Sequence, residues 1–196
     1  MKYRNVIIPL LIAIVVLVYL SAFAVDETEQ VVITQFGKVI RTKTEAGLDF
    51  KWPWRKATYF PKNLLGWDGE PGQIPTLEKT YIWVDSFARW KIVDPESFFR
   101  RVGDIPKARR QLNDIIDAAV RNLITENKLI EAVRKSNREL VLEVSSSGTR
   151  QDERDTYAIT TGRQKITARI LAQAKPKVAE RGIALVDVKI KRINYV

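Results

Sequence analysis

Asp114 and Asp117 stand three residues apart, and Ser86, Ser97 and Ser136 stand in a chain with 33 Lys and Arg residues. These are the residue types from which a carboxylate acid–base pair or a Ser–Lys nucleophile is assembled. Neither pattern is specific. A solvated helix face produces the aspartate spacing, and serines fall near lysines by chance in so basic a chain. The 196 residues include no His and no Cys. That excludes a Ser–His triad, an imidazole- or thiolate-bound metal, a Cys nucleophile and any disulfide. The motifs G-x-x-x-x-G-K-[ST], G-x-G-x-x-G and G-x-S-x-G do not occur. The expectation is a protein that is not an enzyme and holds no cofactor or metal.

Binding chemistry is better represented. Phe50, Trp52, Trp54, Tyr59, Phe60 and Trp67 fall within 18 residues, interleaved with Lys51, Arg55, Lys56 and Lys62. Such interleaving stacks on single-stranded nucleic acid. It equally suits a lipid headgroup layer, where indole sits at the interface and Lys or Arg meets phosphate. The plain alternative is core packing. We take Trp52, Trp54, Tyr59, Phe60, Trp67, Lys51, Arg55 and Lys56 as candidate membrane-interface residues. Around Gly103 lie Arg100, Arg101, Lys107, Arg109 and Arg110. They form either a solvated face or an electrostatic patch for a neighbouring subunit. The net charge of +10 fits an anionic polymer, anionic lipid or an acidic partner.

The amino terminus decides among these. Val6–Val25 carries no charge over 20 residues. As a helix it would be roughly 30 Å long, about one bilayer core. Lys2 and Arg4 precede it, and Asp26, Glu27 and Glu29 follow. The charge bias puts residues 1–5 in the cytoplasm and Asp26 onward across the membrane. Ala22-Phe23-Ala24 is an A-x-A-like cleavage site, but the apolar run exceeds the ~7–15 residues of a signal h-region. An uncleaved anchor is therefore favoured over a signal peptide. Either one exports the rest, which sets nucleic acid aside.

The elements follow from periodicity. Val31–Ile40 predicts two short strands about a turn at Gly37-Lys38. Leu48–Trp52 predicts an extended run, and the six Gly and Pro residues of 61–75 predict loop and turn. Thr80–Ile92 alternates, with Ile82, Val84, Ala88, Trp90 and Ile92 on one side. Asp94 and Pro95 open a short helix with Phe98, Phe99 and Val102, which Gly103 stops. Leu112, Ile115, Ile116, Ala119, Val120, Leu123 and Ile124 form one helical stripe. Glu139–Val144 is a short helix or strand, and Ser145–Asp155 a loop. Tyr157–Arg181 is helical, with Ile159, Ile166, Ile170, Ala174 and Val178 on one side. Pro176 should kink or break it, and Gly182 end it. Ile183–Ile193 is a final strand. The order predicts a mixed α/β fold of α+β type.

Four stretches then bear a resemblance. Glu29-Gln30-Val31-Val32-Ile33-Thr34-Gln35-Phe36-Gly37-Lys38-Val39 resembles the start of the SPFH domain, also called band 7 or the prohibitin/stomatin domain. Gly47–Trp54 and Val84–Pro95 are similar to its "GLHFKIPF" and "VDSYIKWRISD" segments, and Gly182–Asn194 to its closing "GIEVVDVRIKQIN". The matches keep their order over about residues 6–194. The resemblance implies a transmembrane signal anchor (6–25), a β-rich first subdomain (26–78) and an αβ second subdomain (79–196). It also implies a place in the bacterial inner membrane, single-pass, with the SPFH domain periplasmic. Its bacterial branch implies a homo- or hetero-oligomer with a related, HflK-like SPFH protein that regulates the ATP-dependent membrane protease FtsH. A stomatin-like organiser of lipid microdomains is the alternative. The family's long charged C-terminal helix would begin where this chain stops, at Val196. A chain ending there is expected to lack that coiled coil and not to build a full cage.

Overall fold

The computed structural model describes residues 4–137 and 159–195. Glu139–Val144, Ser145–Asp155, Tyr157 and Ala158 lie outside the described residues; residues 159–161, expected to be helical, precede the helix, which starts at Gly162. The chain divides into two compact units and passes between them repeatedly. The first comprises Met1–Leu64, Lys91–Asp104 and Arg181–Ile183; the second comprises Leu65–Trp90, Ile105–Glu180 and Ala184–Val196.

The first unit begins with α1 (Arg4–Ser21). The apolar run predicts a helix continuing to Val25, but the chain leaves the helix after Ser21. Ala22–Val25 is strand β1, antiparallel to β4 (Gly47–Phe50), with Ala22 opposite Phe50 and Val25 opposite Gly47. The strand's two-residue period explains the change. It turns Phe23 and Val25 to one side, where they pack with Val31 and Ile33 in one buried cluster. Among the described residues no helix is both long and apolar enough to cross a membrane.

A three-stranded antiparallel sheet follows, with β2 (Glu29–Gln35) between β3 (Lys38–Lys43) and β5 (Lys56–Pro61). Val31, Val32 and Ile33 fill its centre and are fully buried. The β2–β3 turn sits one residue earlier than the glycine suggests. Phe36 and Gly37 have φ of +50° and +80°, the double positive φ that a two-residue hairpin loop requires.

Helix α2 (Pro95–Arg101) also belongs to this unit. Its cap is as expected: the Asp94 carboxylate accepts from the amides of Glu96 and Ser97 at 3.1 and 3.2 Å. Gly103, at φ +93°, closes it by donating to the Phe98 carbonyl at 3.0 Å. Phe98 is buried edge-on against Phe60, with ring centroids 5.2 Å apart.

The second unit is built on β8 (Tyr81–Ile92). The Gly/Pro-rich stretch expected to be loop instead forms β6 (Leu65–Asp68) and β7 (Gly72–Pro75). Both pair antiparallel with β8 along one edge, and the Gly69 amide still donates to Ser86 between them. Gly and Pro are tolerated because these are edge strands. Trp67 and Ile74 supply the burial that fixes them. Strand β9 (Ile183–Tyr195) also pairs with β8.

Helix α3 (Ile105–Thr125) packs its stripe of Leu112, Ile116, Ala119, Val120, Leu123 and Ile124 out of solvent. It lies against α5 (Gly162–Ala179), which buries Ile166, Ile170, Ala174 and Val178. Pro176 does not break α5. It falls in the last turn, where a missing N–H forfeits a single bond, and the helix continues to Ala179. The start of α5 is capped from α4 (Leu129–Val133). There the Glu131 carboxylate accepts from the amides of Thr160, Thr161 and Gly162 at 2.7, 3.0 and 2.5 Å, and from the Thr160 hydroxyl at 3.0 Å.

Candidate functional site

The aromatic and basic residues separate into three groups. Phe60 belongs to the core of the first unit, at 4% exposure, and Trp67 to that of the second, at 3%. Neither faces solvent, so both leave the membrane-interface set. Core and interface draw on the same residue types, and composition does not distinguish them.

The rest stay at the surface of the first unit. Trp52 and Trp54 are 51% and 59% exposed, and their rings stack 4.9 Å apart at 19°. Backbone pairing fixes where this pair sits. Phe50, itself exposed, is opposite Ala22, and the Lys51 amide donates to the Ser21 carbonyl at 2.8 Å. The two indoles therefore follow directly from the end of α1. Arg55 Nε donates to Gln35 Oε1 at 3.0 Å, and Lys56 lies opposite Thr34. That places the β2–β3 turn beside the Trp pair. Its Phe36 is 91% exposed with positive φ. An aromatic side chain in that backbone region is uncommon and costs about 1–2 kcal/mol. Phe36 was hidden in the sequence by the turn it occupies; full exposure at a hairpin tip is its signal. Tyr59 is also exposed, its hydroxyl 3.4 Å from the Ala24 carbonyl. Phe36, Phe50, Trp52, Trp54 and Tyr59, with Lys51, Arg55 and Lys56, form an aromatic and basic rim.

The basic cluster divides between the units. Arg100 and Arg101 are in α2, where Arg100 pairs with Glu96 at 2.7 Å. Lys107, Arg109 and Arg110 are exposed on the first turns of α3.

The second unit also holds an open cleft of about 680 Å³. Trp67, Ala88 and Phe87 line it, with Arg89 and Lys191 beside them and Arg109 and Asn113 on α3. Ion pairs fix the strand side. Arg89 grips Asp187 with two nitrogens, at 2.6 and 3.0 Å, and Lys191 reaches Asp68 and Asp85 at 3.3 and 3.8 Å. The Arg89 hydrogen bonds hold the Asp187 carboxyl below its ordinary range.

The residues first weighed for catalysis are placed elsewhere. Ser86 is buried, and Ser97 serves the α2 cap. Burial pushes the Asp117 carboxyl up against the opposing pull of Arg121, with Glu70 and Asp114 adding to the rise. Among the described residues no cluster of acidic side chains is arranged to hold a metal ion.

The SPFH domain / Band 7 family model matches residues 23–196. Protein HflC of Borreliella burgdorferi is 35% identical over 183 residues, covering 91% of this chain and 57% of that protein. Protein HflC of Treponema pallidum is 33% identical over 184 residues, covering 88% and 56%. The modulator of FtsH protease HflC of Escherichia coli is 30% identical over 213 residues, covering 97% and 64%. The chain thus spans less than two thirds of the length of these curated relatives.

Proposed function

This chain belongs to the SPFH domain / Band 7 family, and from that premise we propose that it is a non-enzymatic membrane scaffold. In this proposal it assembles with a related, HflK-like SPFH protein and modulates an FtsH-like membrane protease. The observation that carries the proposal is the similarity, across 97% of the chain, to a protein named as a modulator of FtsH protease. Within the proposal α1 attaches the protein to the bacterial inner membrane, and the domain after it is periplasmic. Supporting this, Val15, Val16, Leu17, Val18, Tyr19 and Leu20 are all exposed. Six successive helical residues point all round the axis, so this stretch of α1 is apolar and exposed on every side, which suits lipid. Its 18 residues span ~27 Å, a little short of a bilayer core of about 30 Å, so the proposal rests on its exposed apolar stretch and not on its length. The aromatic rim at the end of α1 would then meet the headgroup layer. Arg100, Arg101, Lys107, Arg109 and Arg110 are the proposed contacts to neighbouring subunits.

The test is the size and composition of the particle extracted from the native membrane in mild detergent. A very large particle holding a second SPFH protein and an ATP-dependent protease is expected. A small particle without the protease would replace this proposal with that of a lipid-microdomain organiser. Reversing the charges of Arg100, Arg101 and Arg110 should reduce particle size; unchanged assembly would reject that patch as an interface.

A further inference from the structure

Arg109 is the unclaimed cation of the cleft in the second unit. Arg89 is held by Asp187, and Lys191 by Asp68 and Asp85. Arg109 makes no hydrogen bond or ion pair among the described residues, and its guanidinium carries five donors. One helical turn further along α3 is Asn113. Its Oδ1 accepts from Trp67 Nε1 at 2.9 Å. An indole N–H can only donate, so this bond fixes which end of the carboxamide faces Trp67. The Asn113 amino group is thereby turned away, with two donors unspent. Residues four apart on a helix are neighbours. The cleft therefore presents a guanidinium and an oriented amide, side by side, as free donors with no acceptor to match. Behind them the wall is apolar: Trp67, Ala88 and the half-buried Phe87.

We propose that Arg109 and Asn113 form a carboxylate clamp, and that the cleft binds an acidic peptide segment with apolar residues between its carboxylates. Two features select this occupant. Planar donor pairs of this kind match a carboxylate. The charges on the strand side are already paired with one another, Arg89 with Asp187 and Lys191 with Asp68 and Asp85, so the charge of Arg109 is left for an anionic group of the occupant. The volume, about 680 Å³, suits a few side chains and not a folded domain. The proposal takes Arg109 out of the subunit-contact patch, leaving Arg100, Arg101, Lys107 and Arg110 there, and does not require the assembly proposed above.

The test is fluorescence anisotropy of a fluorescein-labelled peptide alternating Glu with Leu, amidated at its end, added to the full chain in detergent. The same peptide with Gln for Glu is the reference. The acidic peptide should bind and its Gln counterpart should not. Arg109→Gln should weaken binding about tenfold or more, the usual consequence of losing a charge-assisted hydrogen bond. Asn113→Asp keeps an acceptor for Trp67 and so keeps the cleft floor, but removes the amide donors. It should abolish binding with no change in thermal unfolding. Arg121→Gln removes the same charge from an exposed residue of α3 that does not line the cleft, and should leave binding intact. Equal affinity for the two peptides, or equal losses with Arg109→Gln and Arg121→Gln, would overturn the clamp.

Discussion

Glu131 carries a negative charge where burial works against it. Its side chain is 7% exposed, and burial is the largest single influence on its carboxyl. The hydrogen bonds from Thr160, Gly162 and Thr161 together outweigh that influence and hold the carboxyl below its ordinary value. A depressed folded-state pKa contributes stability that is fully present above the unfolded value, about 4.3, and is lost as pH falls through the folded value. Replacing Glu131 with Ala leaves the first amides of α5 without their acceptor. It should cost about 2–3 kcal/mol in urea unfolding at neutral pH. Glu131→Gln keeps one acceptor and should lose less, and its stability should fall less steeply in acid than that of the unaltered chain. An unchanged acid limb in Glu131→Gln would show that the carboxylate does not hold α5.

At the scale of elements, the joints are tighter than the elements themselves. Gly182, at φ +73°, accepts from the amides of Val93 and Asp94 at 3.0 and 3.2 Å, where β8 leads into α2. A Cβ placed there would lie 2.2 Å from the Asp94 carbonyl oxygen and 2.9 Å from the Phe98 amide. Both are backbone atoms and cannot step aside. Gly182→Ala is therefore expected to destabilise by more than the ~1–3 kcal/mol of backbone strain alone, read as a fall in thermal midpoint. Ile116→Ala, in the middle of the α3 stripe, should cost about 2–5 kcal/mol, the range for deleting a fully buried aliphatic side chain. These elements were legible in the sequence because their signals are local: the period of β8, the stripe of α3, and Asp94-Pro95 before α2. Strands β6 and β7 were not, since six glycines and prolines in 61–75 outweigh Trp67 and Ile74 in any local view. Nor was β1, because Ala22-Phe23-Ala24-Val25 suits a helix or a strand until Val31 and Ile33 arrive to pack on it. The cleft was out of reach altogether. Its Trp67–Asn113 bond joins residues 46 apart, and only the folded unit shows that Asn113 has donors left to give.

For the whole molecule, the membrane attachment proposed above makes a prediction that joins the net charge of +10, the apolar stretch of α1 and the exposed rim. A water-facing helical stretch such as Val15–Leu20, ending beside two stacked indoles, would be an aggregation liability. Under the proposal the same arrangement would be stabilised beside an anionic bilayer, with the helix in hydrocarbon, the indoles at the interface, and Lys51, Arg55 and Lys56 near phosphate. The five tryptophans allow this to be read directly. Trp67 and Trp90 are buried, whereas Trp52 and Trp54 are not. In vesicles of mixed neutral and anionic lipid, brominated acyl chains should quench part of the emission. That part should disappear in Trp52→Ser with Trp54→Ser while the protein stays in the vesicle fraction through α1. Adding Phe36→Ser should leave the remaining emission unchanged, but should lessen the salt needed to separate the rim from lipid, as judged by proteolytic protection of the β2–β3 turn. Quenching that survives removal of both indoles would place the lipid contact on Trp83 in the second unit, and would leave the stacked pair facing protein or water.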